Sequence, residues 1–175
     1  MGVSRGALSF RPMVADDLRL VHDWLQRPHV RRWWAERRTY KDVVAHYLPA
    51  IDGTDPTDHY LVLLDGQPVG MLQTYLVADY PAYAELIGIS DSTTAGADIL
   101  IGEEDLTGRG LGTEALRRFV ADVVFARPET TACVADPDER NIASLRAFEK
   151  AGFHVERTFV DPEDGQTHAL VRLDR

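Results

Sequence analysis

Only one cysteine, Cys133, occurs in 175 residues, so no intrachain disulfide can form, and no charged-then-apolar leader opens the sequence. Both features fit a protein of the reducing cytoplasm. Long apolar runs are missing as well: no stretch approaches the roughly 18 to 20 residues needed to cross a bilayer, so a soluble protein with no membrane partner is expected. Basic charge is in deficit. Lysine and arginine total 19 against 28 aspartates and glutamates, and the resulting net charge of −9 disfavours a nucleic-acid partner while favouring a cationic ligand. Internal repeats and low-complexity tracts are absent. The six histidines, His22, His29, His46, His59, His154 and His168, reach no convincing metal-ligand spacing with one another, with cysteine or with a carboxylate, and no metal is predicted.

What remains is a chain with 45% apolar residues, enough for one sizeable core and too short for two comfortable domains. Residues 1–175 are therefore read as a single domain, acting as a monomer or weak homodimer. Leu8 to Phe10 reads as a strand. Leu18, Val21 and Leu25 recur at helical spacing behind Ala15-Asp16-Asp17, whose carboxylates suit a helix start, and Pro28 is expected to end that helix. Thr39 with Asp42 resembles a capping box for a second helix through Val43, Val44, Tyr47 and Leu48, with Pro49 marking its end. Asp52 to Pro56 is turn chemistry.

From His59 onward the texture becomes β-rich. Tyr60 to Leu64 and Val69 to Val77 flank the turn Asp65-Gly66, a loop from Ser90 to Gly96 leads to a strand over Ala97 to Ile101, and an antiparallel meander is implied. A helix carrying Leu116, Phe119, Val120 and Val123 follows and closes at Pro128. Thr131 to Ala135 is the next strand. Asp138 to Lys150 is the last helix, with Ile142, Leu145 and Phe148 on one side and Gly152 as its stop. Phe153 to Val160 and Ala169 to Leu173 form a closing hairpin around Asp164-Gly165.

Between strand and helix lies Leu106-Thr107-Gly108-Arg109-Gly110-Leu111-Gly112-Thr113. Three glycines in this loop let main chain approach a phosphate while the helix's unpaired N–H groups point at it. Taken alone, the loop could equally be a plain strand-to-helix connection. The antiparallel meander upstream argues against a dinucleotide-binding βαβ unit, and the Gly-Lys-Ser/Thr of a nucleotide-binding P-loop is missing.

The order of elements, the loop Thr107 to Gly112 and the distal run Asn141 to Phe153 resemble the GNAT acetyltransferases over almost the whole chain. Within that superfamily the likeness is nearest to the aminoglycoside 6'-N-acetyltransferases, through Trp24-Leu25-x-Arg27-x-His29-Val30 leading to Trp33-Trp34, then Tyr47-Leu48-Pro49, Gly70-x-x-Gln73-x-Tyr75, Gly96-x-Asp98 and Asp136-Pro137-x-x-x-x-Asn141. The resemblance implies an α+β GNAT fold, a central, mostly antiparallel mixed sheet flanked by helices on both faces. It also implies acetyl-coenzyme A as co-substrate and a polycationic small molecule, an aminoglycoside, as acceptor.

Residue roles follow from the same likeness. Asp98 is expected to bind the amine and take its proton, since an ammonium must lose a proton before it can attack a thioester. Main-chain N–H groups around Ile99, Leu100 and Ile101 could serve the developing oxyanion, and the same strand could pair with the pantetheine arm. Thr107, Gly108, Arg109, Gly110, Leu111, Gly112 and Thr113 would hold the diphosphate, and Asn141 and Phe148 would contact the coenzyme. Asp136 would hold amines of the acceptor. Trp33, Trp34 and Tyr47 would wall the site, with Gln73 and Asp79 also on the substrate side. From the residues alone, Asp98 could be an edge-strand carboxylate, Asn141 an ordinary helix cap, Asp136 a turn starter and Tyr47 a core residue.

Two departures from the family pattern stand out. Many members carry a tyrosine seven residues after the asparagine, where it can protonate the departing thiolate; here that position is Phe148. The thiol's ordinary pKa, roughly 8 to 9, lets solvent do this instead. Thr107 replaces the usual Gln or Arg at the head of the loop, which removes a side-chain contact and leaves the N–H cradle. Cys133, flanked by Ala132 and Val134, reads as a buried, inert thiol. Arg31-Arg32 and Arg37-Arg38 straddle the tryptophans and read as solvated. Rival readings are a siderophore-biosynthesis hydroxylysine N-acyltransferase, whose relatives more often put histidine at the position of Asp98, a protein N-terminal acetyltransferase, and a coenzyme-binding module without catalysis.

Overall fold

The computed structural model describes residues 6–34 and 39–175, so Arg37 and Arg38 lie outside the described residues. Strands Leu8–Pro12 (β1), Asp58–Leu64 (β2), Gln67–Leu76 (β3), Thr94–Ile101 (β4), Ala132–Ala135 (β5), His154–Val160 (β6) and Thr167–Asp174 (β7) join in one seven-stranded sheet of order β1-β2-β3-β4-β5-β7-β6. The pairs β1–β2, β5–β7 and β6–β7 are antiparallel and β4–β5 is parallel, giving the mixed sheet expected. Successive residues Val69 to Leu72 in β3 and Ala132 to Ala135 in β5 are all buried. Because neighbouring side chains point to opposite faces, the sheet is covered on both.

Six α-helices accompany it among the described residues: Leu18–Gln26 (α1), Pro28–Arg31 (α2), Tyr40–Ile51 (α3), Pro81–Ile87 (α4), Leu111–Phe119 (α5) and Ile142–Lys150 (α6). None is long and apolar enough to cross a membrane. The chain divides into two compact units. One ends at Leu72 and resumes over Ile99–Thr107; the other comprises Gln73–Asp98 and Gly108–Arg175.

In the first unit the apolar stripe of α1 packs with Val43 and Tyr47 of α3 and with Leu61, Met71 and Leu100 of the strands. The capping box is present as read: Thr39 Oγ1 accepts from Asp42 N at 3.1 Å while Asp42 Oδ2 accepts from Thr39 N at 3.1 Å. Pro28 follows the end of α1 as expected, while Pro49 does not mark the end of α3. Pro28 opens α2 at its first position, where a missing N–H costs nothing. Pro49 lies inside the last turn of α3, which runs on to Ile51, and its carbonyl accepts from the N–H groups of Thr54 and Asp55.

The second unit holds Val77, Ile87, Ile89, Val134 and Leu170 in one cluster, with Tyr83 and Phe159 packed against it. Three sequence boundaries shift here. β4 begins at Thr94, not Ala97, because Asp91 Oδ1 caps the turn by accepting from the N–H groups of Thr93 and Thr94. α5 passes into a π-helical turn over Val120–Val124, which buries Val124 and leaves Val123 half-buried. α6 starts at Ile142 and not Asp138, since Asp138 Oδ1 instead accepts from Arg140 N at 2.8 Å in a local turn, and Ile142 is exposed. Helix α4 was not foreseen. Its signal was present in Pro81 at the first position and Gly88 just past the end, where φ is +70°.

Candidate active site

Parallel strands β4 and β5 pair as Thr94↔Ala132, Ala95↔Cys133 and Gly96↔Val134, and there the ladder stops although both strands continue. Asp98 lies two residues beyond Gly96, on the same face of β4, and Asp136 follows directly on the end of β5. Both carboxylates are half-buried, and the charges of both oppose ionisation of Tyr75 and Tyr83.

That face of β4 is built around Tyr75. A Cβ at Gly96 would collide with the Tyr75 ring, so the glycine is what allows the ring to lie on the strand. Tyr80 and Tyr83 meet Tyr75 edge-on, with centroids 5.2 and 6.1 Å away. Tyr83 donates its hydroxyl to Asp136 Oδ1 at 2.7 Å, and Gln73 Nε2 donates to Asp98 Oδ2 at 2.8 Å. Burial, with the charges of Asp98 and Asp136, drives both Tyr75 and Tyr83 well above the ordinary phenol value. The phenols therefore stay neutral and act as hydrogen-bond donors. Cys133 is fully buried and pushed up by desolvation and by Asp98, which bears out the inert thiol.

Asp136 has a second neighbour that sequence reasoning did not select. His168 Nδ1 lies 2.7 Å from the Asp136 main-chain oxygen and 3.4 Å from its Oδ2, and Nε2 lies 3.0 Å from Asp164 Oδ2. Asp136, Asp161 and His168 each offer an atom within 4.8 Å of the others, the spacing a metal ion would need. The histidine does not suit that role. A metal ligand must present a bare ring nitrogen, and both nitrogens here face oxygen acceptors. Sequence reading weighed the histidines by spacing along the chain, which carries no sign of a β7 residue meeting the end of β5.

The glycine loop opens α5 as expected. Gly108 and Gly110 have φ of +69° and +85°, values that L side chains adopt rarely, and Gly110 caps the helix with no side chain in the way. Residues Gly108 to Gly110 are exposed and Leu111 to Thr113 half-buried, so the first-turn N–H groups open outward. This geometry fits a diphosphate. Thr107 turns its hydroxyl away, donating to Glu104 O at 2.7 Å. Asn141 caps α6, its Oδ1 accepting from Ser144 N at 3.2 Å. The Phe148 ring is buried against Phe153, centroids 5.1 Å apart.

In the first unit, the end of β4 is held by the Trp24-x-x-Arg27-x-His29 segment. Trp24 Nε1 donates to Glu103 Oε1 at 3.0 Å, Arg27 donates to Glu103 Oε2 at 2.7 Å and to Gly102 O at 2.6 Å, and His29 Nε2 lies 3.0 Å from Ile101 O. These contacts fix the strand that carries Ile99, Leu100 and Ile101. The Tyr47 side chain is wholly buried in the core, its ring meeting His46 and His59 edge-on. Trp33 and Trp34 are half-buried; the Arg32 guanidinium stands 4.9 Å from the Trp33 ring centre, and Trp34 packs on the core. Asp79 is exposed, in a short 3₁₀ turn after β3.

A glycine loop that opens a helix and an aspartate-bearing strand are parts that an acyltransferase working with a bound coenzyme can use, and the similarities to known proteins point to that class. Residues 13–160 match the family model described as the acetyltransferase (GNAT) domain, and the chain belongs to the GNAT acetyltransferases. It is 32% identical over 164 residues to the aminoglycoside N(6')-acetyltransferase type 1 of Klebsiella pneumoniae, covering 91% of this chain and 80% of the relative. Lysine N-acyltransferase MbtK of Mycobacterium tuberculosis is 30% identical over 78% of this chain and 63% of that protein. The crystal structure of aminoglycoside acetyltransferase AAC(6')-Ib in complex with coenzyme A and kanamycin superposes with a TM-score of 0.87 at 31% identity, covering 97% of this chain and 95% of that one.

Proposed function

We propose that this chain transfers the acetyl group of acetyl-coenzyme A to the 6'-amino group of aminoglycosides, an activity of the antibiotic-resistance type. The observation that carries the reading is the pair of half-buried carboxylates at one tyrosine cluster, Asp98 held by the Gln73 amide and Asp136 by the Tyr83 hydroxyl. Acetyl-coenzyme A supplies an activated thioester. Gly108 to Thr113 would hold its diphosphate through main-chain N–H groups, as the positive φ values of Gly108 and Gly110 permit. Asp98 would bind the ammonium and take its proton, directly or through water, with Gln73 fixing one carboxylate oxygen. The amine nitrogen then bonds to the acetyl carbon and the C–S bond breaks. N–H groups of Ile99 to Ile101 would stabilise the carbonyl oxygen as it gains charge. Phe148 has no proton to give, so water protonates the thiolate.

Asp136 would hold a further ammonium group, and the net charge of −9 favours approach of a polycation. Trp33 and Trp34 would contribute apolar walls and Asp79 a peripheral charge. We place this activity in the cytoplasm, in a monomer or weak homodimer. The likeness to a lysine N-acyltransferase supports a second reading, acylation of a hydroxylysine-type amine; Asp98 in place of the histidine expected there favours the first. A thiol-release assay with acetyl-coenzyme A against kanamycin, hydroxylysine and a peptide amine separates them. Turnover on kanamycin alone is expected, and turnover confined to hydroxylysine would replace the proposal.

A further inference from the structure

His168 is a cation on geometric grounds. Its two ring nitrogens face a main-chain carbonyl oxygen, at 2.7 Å, and a carboxylate oxygen, at 3.0 Å. Neither acceptor has a proton to offer, so each nitrogen must carry its own. The same surroundings lift His168 from its ordinary 6.5 to about 10, hydrogen bonding to the Asp136 side chain contributing most and burial opposing it.

The charged ring stands among acidic groups from every neighbouring segment. Asp136 approaches from the end of β5, Asp164 from the β6–β7 turn, and Asp161 from the start of that turn. Asp138 lies in the chain running beside β7, paired with Arg140 at 2.6 Å, and Phe159 of β6 packs near the imidazole. Among the described residues His168 pairs with both Asp136 and Asp164. Without it, carboxylates close enough to share a metal ion would repel one another.

Asp136 is also oriented from its other side. A carboxylate has about four acceptor positions. Tyr83 occupies one on Oδ1, and the imidazolium faces Oδ2. The remaining positions keep a fixed direction, which a swinging side chain would not give them.

We propose that His168 is a positioning residue that clamps the β6–β7 turn to the end of β5 and thereby fixes Asp136 for a second ammonium group of the acceptor. The proposal rests on the amine-acetylating reading above. It separates two duties within the acid pair: Asp98 handles the reacting amine, and the His168-held Asp136 selects acceptors with a second cation at the right distance. Loss of the clamp acts on acceptor affinity more than on the chemical step.

The clamp also links stability to pH. Its charged form is favoured by the fold, so the stabilising contribution is complete below about pH 6.5, declines above it, and is lost as pH rises through about 10. The melting-temperature gap between the parent protein and His168→Gln therefore narrows from pH 6 toward pH 10.

Ring signals of histidine-labelled protein, followed by NMR from about pH 6 to about pH 9.5, test the clamp without any substrate. His168 is expected to stay doubly protonated beyond pH 8 in the parent, and Asp164→Asn, which cuts only the outer link, to lower its midpoint. A parent midpoint near the ordinary 6.5 overturns the clamp. With kanamycin as acceptor, His168→Gln is expected to raise KM about tenfold and to change kcat by less than about threefold, the loss of a charge-assisted contact. An unchanged KM overturns the positioning role. If the parent itself turns over no aminoglycoside, the substrate reading falls, and the ring signals still decide the clamp.

Discussion

The Tyr75 ring lies on the bare Cα of Gly96, one strand over, and a methyl group at residue 96 could not share that space. Tyr75 in turn contacts Tyr80 and Tyr83, and Tyr83 bonds Asp136. One missing side chain thus seats the aromatic cluster beside both carboxylates. Gly96→Ala is expected to destabilise the protein by about 1–3 kcal/mol, the usual cost of overpacking. Urea denaturation checks this, and KM for the acceptor is expected to rise together with the stability loss because Asp136 loses its orientation.

Asp136→Asn keeps the shape and removes the charge. A charge-assisted hydrogen bond contributes roughly 1.5–3 kcal/mol, so acceptor KM is expected to rise about 10- to 100-fold with a smaller change in kcat. Tyr83→Phe, which removes the 2.7 Å bond and leaves the charge, is expected to produce a milder rise. Steady-state kinetics on both variants orders them, and equal KM values across the three proteins would remove Asp136 from the acceptor site.

Gly110→Ala separates backbone strain from ligand contact. A Cβ at residue 110 meets nothing within 4 Å, so the variant bears only the cost of a left-handed conformation, about 1–2 kcal/mol. Calorimetry with coenzyme A is expected to show weakened binding, because the methyl group and any shift of the helix start intrude where the diphosphate would sit. Unaltered affinity would place the coenzyme elsewhere.

The sequence disclosed the regular parts of this fold because their signals are local. The Thr39–Asp42 box, the Asp65-Gly66 turn and the Gly108-x-Gly110 loop each depend on residues a few positions apart, and each formed as read. Pro49 misled, because α3 carries it inside its last turn at the loss of one main-chain hydrogen bond, whereas Pro28 follows the end of α1 as read and opens α2 in the one turn that tolerates a missing N–H. Asp98 could be picked out as a misfit of its strand, and both Asp98 and Asp136 from family likeness. Their common tyrosine neighbours could not, since these come from segments far apart in the chain. His168 was out of reach for the same reason: its partners come from the end of β5 and a turn, and a cation made by two acceptors leaves no mark on the composition around it. Phe148 and Tyr47 are motif positions whose rings are also buried, a packing role that the motif alone does not display.

The account depends most on Asp98 as the group that accepts the proton of the attacking amine. The direct measurement is the rate of thiol release from acetyl-coenzyme A with saturating kanamycin, comparing the parent protein with Asp98→Asn. The side chain of the variant keeps its size and can still bond Gln73 but cannot take a proton at neutral pH. A fall in kcat of about 10²- to 10⁴-fold, the typical contribution of general acid–base catalysis, is the predicted result. A variant that turns over at close to the parent rate would contradict it.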